Sequence, residues 1–220
     1  MYILAFDTTA ASCSVVLLSE NKILDTYSKL MEFGQSEELI PAIKDILAKN
    51  KISFSELEAI FLCVGPGSFT GVRASISAAK VFNLAQPKMV VSGFSAFDAY
   101  VQMLEMEEIA QVNAVIIETR RDDFYVRLYD AHLCPISEPQ ALDRGAAISI
   151  LKKKNTPVTL IGDGVERFLS VSSGLTLHAI KICDSLTSEG IAASCWHQIT
   201  EKKFNFPKPL YIRAADVSLK

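Results

Sequence analysis

The stretch Gly65-Pro66-Gly67-Ser68-Phe69-Thr70-Gly71 constrains this chain more than any other. Three glycines and a proline within seven residues suit a backbone that turns sharply and lies close to something. The loop follows an apolar run, Ala59 to Val64, and precedes a stretch of small helix-forming residues, so the local order is strand, tight loop, helix. That order presents free backbone N–H groups and the positive end of a helix dipole, a common way to bind an anion. The same residues also suit a plain strand-to-helix corner, and both readings stand at this point. The wording excludes three others. Val72 follows Gly71 where a Walker loop needs Lys, Ser68 has Pro66 and Thr70 where a nucleophile elbow needs glycines, and Gly71 comes one residue late for a dinucleotide fingerprint.

The flanking pattern builds a lobe around this loop. Tyr2 to Phe6 is an apolar strand ending in Asp7-Thr8-Thr9, whose small polar side chains can bond a loop or a ligand. Ser14 to Ser19 and Ile23 to Leu30 complete a β-meander, with a turn expected at Asn21-Lys22. A helix is expected from an N-cap at Ser36, with Glu37 and Glu38 favourable to its dipole and Leu39, Ile40, Ile43, Ile46 and Leu47 as its apolar stripe. Pro41 costs that helix a bond or delays its start. Next come the strand Ala59 to Val64, a helix from about Gly71 to Leu84 carrying Ala74, Ser75, Ser77, Ala78 and Ala79, a strand over 89–93, and a helix reaching about Glu105.

The second half shows strands at Val112 to Ile117, Asp123 to Tyr129 and Val158 to Ile161, the turns Glu118-Thr119-Arg120-Arg121-Asp122 and Gly162-Asp163-Gly164, and a Pro-rich tail. It reads as a reduced copy of the first. The expected architecture is α/β, an actin-like, hexokinase-like two-lobed fold, with a first lobe at 1–105 and a reduced second lobe at 106–220.

Composition narrows the function classes. A net charge of -3 over 220 residues argues against a protein whose main task is to grip nucleic acid by its phosphates. No run reaches the roughly 20 apolar residues of a membrane span, and the first residues lack a signal-peptide pattern, so a cytoplasmic protein is expected. The five cysteines are scattered without a Cys-x-x-Cys, which reads as reduced, packed thiols. The histidines have no metal-ligand spacing, and Cys195 and His197 diverge on a helix, so no metal is expected. No nucleophile and base can be assembled into a catalytic set, and no catalytic residue is assigned.

Five segments carry a family resemblance: Ile3-Leu4-Ala5-Phe6-Asp7-Thr8-Thr9, Gln35-Ser36-Glu37-Glu38-Leu39-Ile40-Pro41, Gly65 to Arg73, Glu118 to Tyr125, and Pro209-Leu210-Tyr211-Ile212-Arg213. In this order, spanning nearly the whole chain, they resemble the TsaB (YeaZ) family, and Gly-Pro-Gly-Ser-Phe-Thr-Gly-Val-Arg is highly specific to it. The chain departs from the family pattern in three places. Gln35 stands where a His is frequent, Cys63-Val64 precedes the glycine loop in place of a more basic sequence, and Glu118-Thr119-Arg120 replaces Asp-Ala-Arg.

The resemblance implies a noncatalytic scaffold of the actin-like ATPase superfamily. It would act in forming threonylcarbamoyladenosine at position 37 of tRNAs that read codons beginning with A. The implied partners are a TsaD-like catalytic subunit, a TsaE-like ATPase and, through the complex, tRNA, with a homodimer as a further option. Asp7, Thr8 and Thr9 fall where active superfamily members hold a metal-phosphate, and are the candidate cofactor-binding residues. No cofactor is expected in the isolated chain, and ATP or ADP is placed at the interface with the TsaD-like partner. Ser36, Leu39, Ile43, Ala74 and Ala78, on two helices expected to lie side by side, are the candidate partner-binding residues. Two other classes stay open: an actin-like-fold enzyme (phosphotransferase or peptidase) and a standalone homodimeric module.

Overall fold

The computed structural model describes residues 1–19, 22–171 and 174–213. A first sheet has the order β3-β2-β1-β4-β5, from β1 (Tyr2–Asp7), β2 (Ser12–Ser19), β3 (Lys22–Leu30), β4 (Leu57–Cys63) and β5 (Val90–Phe94). The first three strands are an antiparallel meander, and β4 and β5 add to β1 in parallel. The second sheet repeats this plan as β8-β7-β6-β9-β10, from β6 (Val112–Glu118), β7 (Asp123–Tyr129), β8 (Gln140–Asp143), β9 (Val158–Gly162) and β10 (Leu177–Ile182). Again a meander is followed by two parallel strands. The duplicated topology is the two-lobed actin-like architecture read from the sequence.

Helices fill the crossovers: α1 (Gln35–Lys49), α2 (Phe69–Ala85), α3 (Ala96–Val101), α4 (Arg144–Lys152), α5 (Val165–Leu169) and α6 (Ser188–Glu201). The second lobe is reduced in its helices, since α5 has 5 residues where α2 has 17. Lys152-Lys153-Lys154 is the solvated end of α4. The five cysteines are free thiols.

Three cores result. On one face of the first sheet, Leu39, Ile43 and Ile46 of α1 and Val72, Ile76 and Ala79 of α2 cover Leu4, Phe6, Ile60 and Leu62. On the other face, Phe97 and Tyr100 of α3 and Ile191 and Cys195 of α6 lie between Ile3, Ala5 and Phe61 of the first sheet and Val115, Ile117 and Ile161 of the second. A third cluster, around Phe124 and Phe168, lies under α4 and α5. Each fully buried Leu, Ile or Phe contributes about 1.5–3 kcal/mol. The core shared by both sheets therefore fixes the lobes to each other. Asp98 of α3 adds a polar clasp, accepting from Tyr129 Oη at 2.7 Å and Arg127 Nη1 at 3.2 Å on β7.

Several local expectations are corrected. The cap of α1 is Gly34, in the left-handed region at φ 92, and not Ser36. The Gly34 carbonyl accepts from the Glu37 and Glu38 amides, and Gln35 Nε2 donates to the Ala10 and Met31 carbonyls, so the helix begins earlier. Pro41 lies inside the helix, which forgoes one bond rather than starting late. The third helix stops at Val101. Asn21 of the expected turn lies outside the described residues. The strands β8 and β10, the helix α5 and the bounds of α4 and α6 were not read from the sequence.

The glycine loop owes its composition to a close internal contact. A Cβ on Gly67 would collide with the Thr9 carbonyl, and one on Gly71 with the Thr8 carbonyl. Helix propensity alone favours Gly71→Ala by about 1 kcal/mol. The collision predicts the opposite sign, a loss of about 1–3 kcal/mol in urea unfolding followed by circular dichroism. A stabilised variant would show that the loop and the β1 end can separate freely.

Candidate functional site

A cavity of about 1320 Å³ opens between the lobes. Its walls are the β1–β2 turn, the glycine loop, the start of α1, the β6–β7 turn, Asp163 and the C-terminal segment Leu210–Arg213. The acidic lining residues (Asp7, Glu32, Glu37, Glu118, Asp163, Glu166 and Asp184) outnumber the basic ones (Arg120, Arg121 and Arg213). Ser68 caps α2, its Oγ accepting from the Gly71 amide at 3.3 Å, and Ser68, Phe69 and Thr70 face the cavity. The helix end thus points its dipole into an acid-lined cleft, which disfavours a bare anion there.

Asp7 and Thr9 line the cavity while Thr8 is buried behind them against α2, and most of the bonding capacity of all three is used internally. Asp7 Oδ1 accepts from the Thr9 amide at 2.8 Å and from Thr9 Oγ1 at 2.7 Å. Thr8 Oγ1 donates to the Gly71 carbonyl at 2.8 Å and bonds Ser75 Oγ at 2.7 Å. The Thr9 carbonyl accepts from the Ser68 amide at 2.7 Å. Asp7 Oδ2 has no partner among the described residues, and neither does the buried Tyr100 hydroxyl, which also lines the cavity. Burial pushes the Asp7 carboxyl up, against the Thr9 hydrogen bonds that pull it down.

The second lobe mirrors this arrangement. Gly162 and Gly164 lie against the end of β6 as Gly67 and Gly71 lie against the end of β1. Asp163 Oδ1 accepts from the Glu118 amide at 2.9 Å. Glu118 forms a two-bond pair with Arg167, each bond 2.7 Å. Burial pulls Glu118 up, and the Arg167 guanidinium and backbone donors outweigh it, leaving its carboxyl below the usual range. No group of three or more His, Cys, Asp or Glu among the described residues is arranged to hold a metal ion. Cys195 is buried while His197 of the same helix is exposed, as their spacing implied.

The candidate partner-binding residues divide. Leu39 and Ile43 are buried in their own lobe's core, so the face they form is not open to a partner, and this corrects their assignment. Ser36 is exposed at the second position of α1. Ala74 and Ala78 are half-buried along the outer side of α2. Beside them the structure adds residues that were not assigned from the sequence: exposed Ser77, Val81 at 61% exposure and Leu84 at 80%. The stripe 74, 77, 78, 81 repeats at helical spacing, the signal that could have found it, and continues the small-residue face.

Burial pushes Asp163 up to about 7 from an ordinary 3.8, helped by the charges of Glu118 and Asp7 and opposed by the Glu118 amide. Its folded-state proton is therefore held above the unfolded value. Between about pH 4 and 7 the folded protein binds more protons than the unfolded one, and stability falls as pH rises across that window. Asp163→Asn keeps the acceptor for Glu118 and removes the titration. It should reduce the loss of stability between pH 4 and 8 by about 1–3 kcal/mol in urea unfolding, with Asp7 supplying a residual slope of the same sign. An unchanged pH profile would place the Asp163 carboxyl in water.

Comparison with known proteins agrees with this geometry. The family of TsaD, tRNA N6-adenosine threonylcarbamoyltransferase, matches residues 34–211. The tRNA threonylcarbamoyladenosine biosynthesis protein TsaB of Buchnera aphidicola (subsp. Baizongia pistaciae) is 28% identical over 76% of this chain and 76% of its own length. The protein of the same name from Bacillus subtilis is 27% identical over 74% of this chain and 71% of its own length. Among solved structures, YeaZ from Pseudomonas aeruginosa superposes with a TM-score of 0.79 at 22% identity, covering 96% of this chain and 99% of that one. An activator of 2-hydroxyisocaproyl-CoA dehydratase from Clostridium difficile, with bound ADPNP, gives 0.51 at 9% identity, covering 92% and 96%. These likenesses show a shared two-lobed fold. With its duplicated sheets, its glycine loop locked to the end of β1 and most of its length matched, the chain belongs to the TsaD family, in which its sequence relatives carry the TsaB (YeaZ) name.

Proposed function

We propose that this chain is a noncatalytic scaffold subunit that binds and activates a TsaD-like catalytic partner in forming threonylcarbamoyladenosine at position 37 of tRNAs reading codons that begin with A. The observation that carries this reading is the outer face of α2. Ala74, Ser77 and Ala78 are small and reachable, Val81 and Leu84 are exposed, and such a stripe lets a partner helix approach closely. A partner of related fold would present a similar helix, which makes pseudo-symmetric pairing natural. The same face would serve a homodimer in the partner's absence.

The interior of the cleft supports a division of labour. Thr8 and Thr9 are committed to holding the glycine loop, and the other acids of the lining, Glu32, Glu37, Glu166 and Asp184, disfavour phosphate that arrives without a cation. In this reading ATP or ADP would bind at the interface with the TsaD-like subunit, and a TsaE-like ATPase would join the assembled pair. Among the described residues no helix is long and apolar enough to cross a membrane, which fits a cytoplasmic complex.

Ser77→Arg tests the surface directly. Its exposed position should leave thermal melting within about 2 °C of the wild type, while a long cation that loses its water in a tight helix contact should weaken co-purification with a TsaD-like protein by at least about tenfold. Undiminished binding would move the interface elsewhere. In the same preparation, the isolated chain should show no ATP turnover above a catalytically dead control, and turnover lost on Asp7→Ala would favour the enzyme reading. The net charge of -3 predicts weak tRNA binding by the chain alone at physiological salt, which a gel shift would check.

A further inference from the structure

After α6 the chain runs without helix or strand from Phe204 to Arg213, along the ends of β4 and β5 and then, bending at 212–213, across the mouth of the cleft. Asn205 pairs with the first sheet through its carbonyl, which accepts from the Gly93 amide at 2.8 Å, and its amide, which donates to Ser92 Oγ at 2.9 Å. The Leu210 amide donates to the Val64 carbonyl at 2.9 Å. Up to this point the segment is an ordinary docked tail.

The next residues connect three separate elements. Tyr211 stacks on Phe69 at the start of α2, with ring centroids 5.4 Å apart and planes at 29°. Arg73, one turn along α2, places its guanidinium 3.7 Å from the Phe69 ring centroid and donates from Nε to Tyr211 Oη at 3.3 Å. Arg213 then pairs with Asp123, the first residue of β7 in the second sheet. Asp123 is itself held by Thr119 Oγ1 at 2.8 Å and, through its carbonyl, by Arg167 at 2.8 Å. Leu210 to Arg213 thus spans from the glycine loop of one lobe to the β6–β7 turn of the other.

We propose that Leu210–Arg213 is a releasable strap that ties the start of α2 to the β6–β7 turn across the mouth of the cleft, and that a helix docking on α2 loosens it by taking Arg73 from Tyr211. Two observations make it releasable. Phe69 and Tyr211 stay 39% and 46% exposed, so their contact is only half removed from water, whereas the core beneath the strap is dry. Arg73 also lies beside Ala74 and about one helical turn before Ser77, so a helix seated on that stripe reaches the guanidinium that holds the Tyr211 hydroxyl. The second half of the proposal rests on the scaffold reading above. The first half does not.

The test uses the full chain with Tyr211→Ala and, separately, Arg213→Gln. In hydrogen exchange followed by mass spectrometry on the free protein, both variants should raise exchange across residues 118–124 by about three- to tenfold while leaving the amides of β1 and β4 at wild-type protection. Unchanged exchange at the turn in both variants would overturn the strap. The retained protection of β1 and β4 separates release from unfolding, and a variant that loses it is replaced in the comparison by the other. With a TsaD-like partner, Tyr211→Ala should bind about two- to fivefold more tightly, because the strap no longer has to be displaced. Equal or weaker binding would overturn the competition. Failure of the wild-type chain to bind any TsaD-like partner would count against the scaffold reading alone, since the exchange measurement needs no partner.

Discussion

The backbone of the β1–β2 turn against the backbone of the glycine loop is the contact on which the molecule depends. A single bond, Ser68 amide to Thr9 carbonyl at 2.7 Å, marks it, and Thr8 Oγ1 reinforces it by reaching both the Gly71 carbonyl and Ser75. Two main chains can come this close only where side chains are missing, which is why positions 67 and 71 are glycine. With the contact made, α2 starts at the cleft, turns its buried face onto β1 and β4, and leaves its outer stripe to solvent. The cleft floor, the orientation of the helix dipole and the exposed stripe of α2 all follow from that placement.

This contact also resolves the ambiguity in the sequence. Glycines in a strand-to-helix loop signal a close approach without saying to what. Here the neighbour is the protein's own Thr8-Thr9, so the same residues that suggested a ligand cradle instead consume one another's hydrogen bonds. The first lobe was legible because its strands are continuous apolar runs and its helices carry clear stripes. The second was less so for physical reasons. β8 has four residues and α5 five, too short for periodicity to show, while β10 alternates at a sheet edge with exposed Ile180 and Ile182 breaking the expected polar face. Leu39 and Ile43 were misplaced because a stripe has no sign. Their hydrophobicity fits a partner or a core equally well, and only the neighbouring sheet decides.

The two lobes show how one plan can be kept while its details drift. Both place a glycine-flanked loop against the end of their first strand and an acid at the cavity wall, Asp7 in one and Asp163 in the other. In the first lobe the loop feeds a helix of 17 residues with an outer face, and in the second a helix of 5 with none to offer. Polar connections between the lobes are supplied afterwards, by Asp98 with Arg127 and Tyr129 at the back. The acids at the cavity wall outnumber the arginines that share it, so the cleft has an acidic lining.

The return of α6 to the first sheet has a consequence for how the chain is made. The inner face of β1 and β4, with Ile3, Ala5 and Phe61, shares its cover between α3 and residues from 188 onward, the latter on the far side of the second lobe's strands in sequence. During synthesis part of this face must wait, apolar and uncovered, until α6 has left the ribosome. Packing of the first lobe is therefore completed only after the second lobe's strands have been made, and the two mature together.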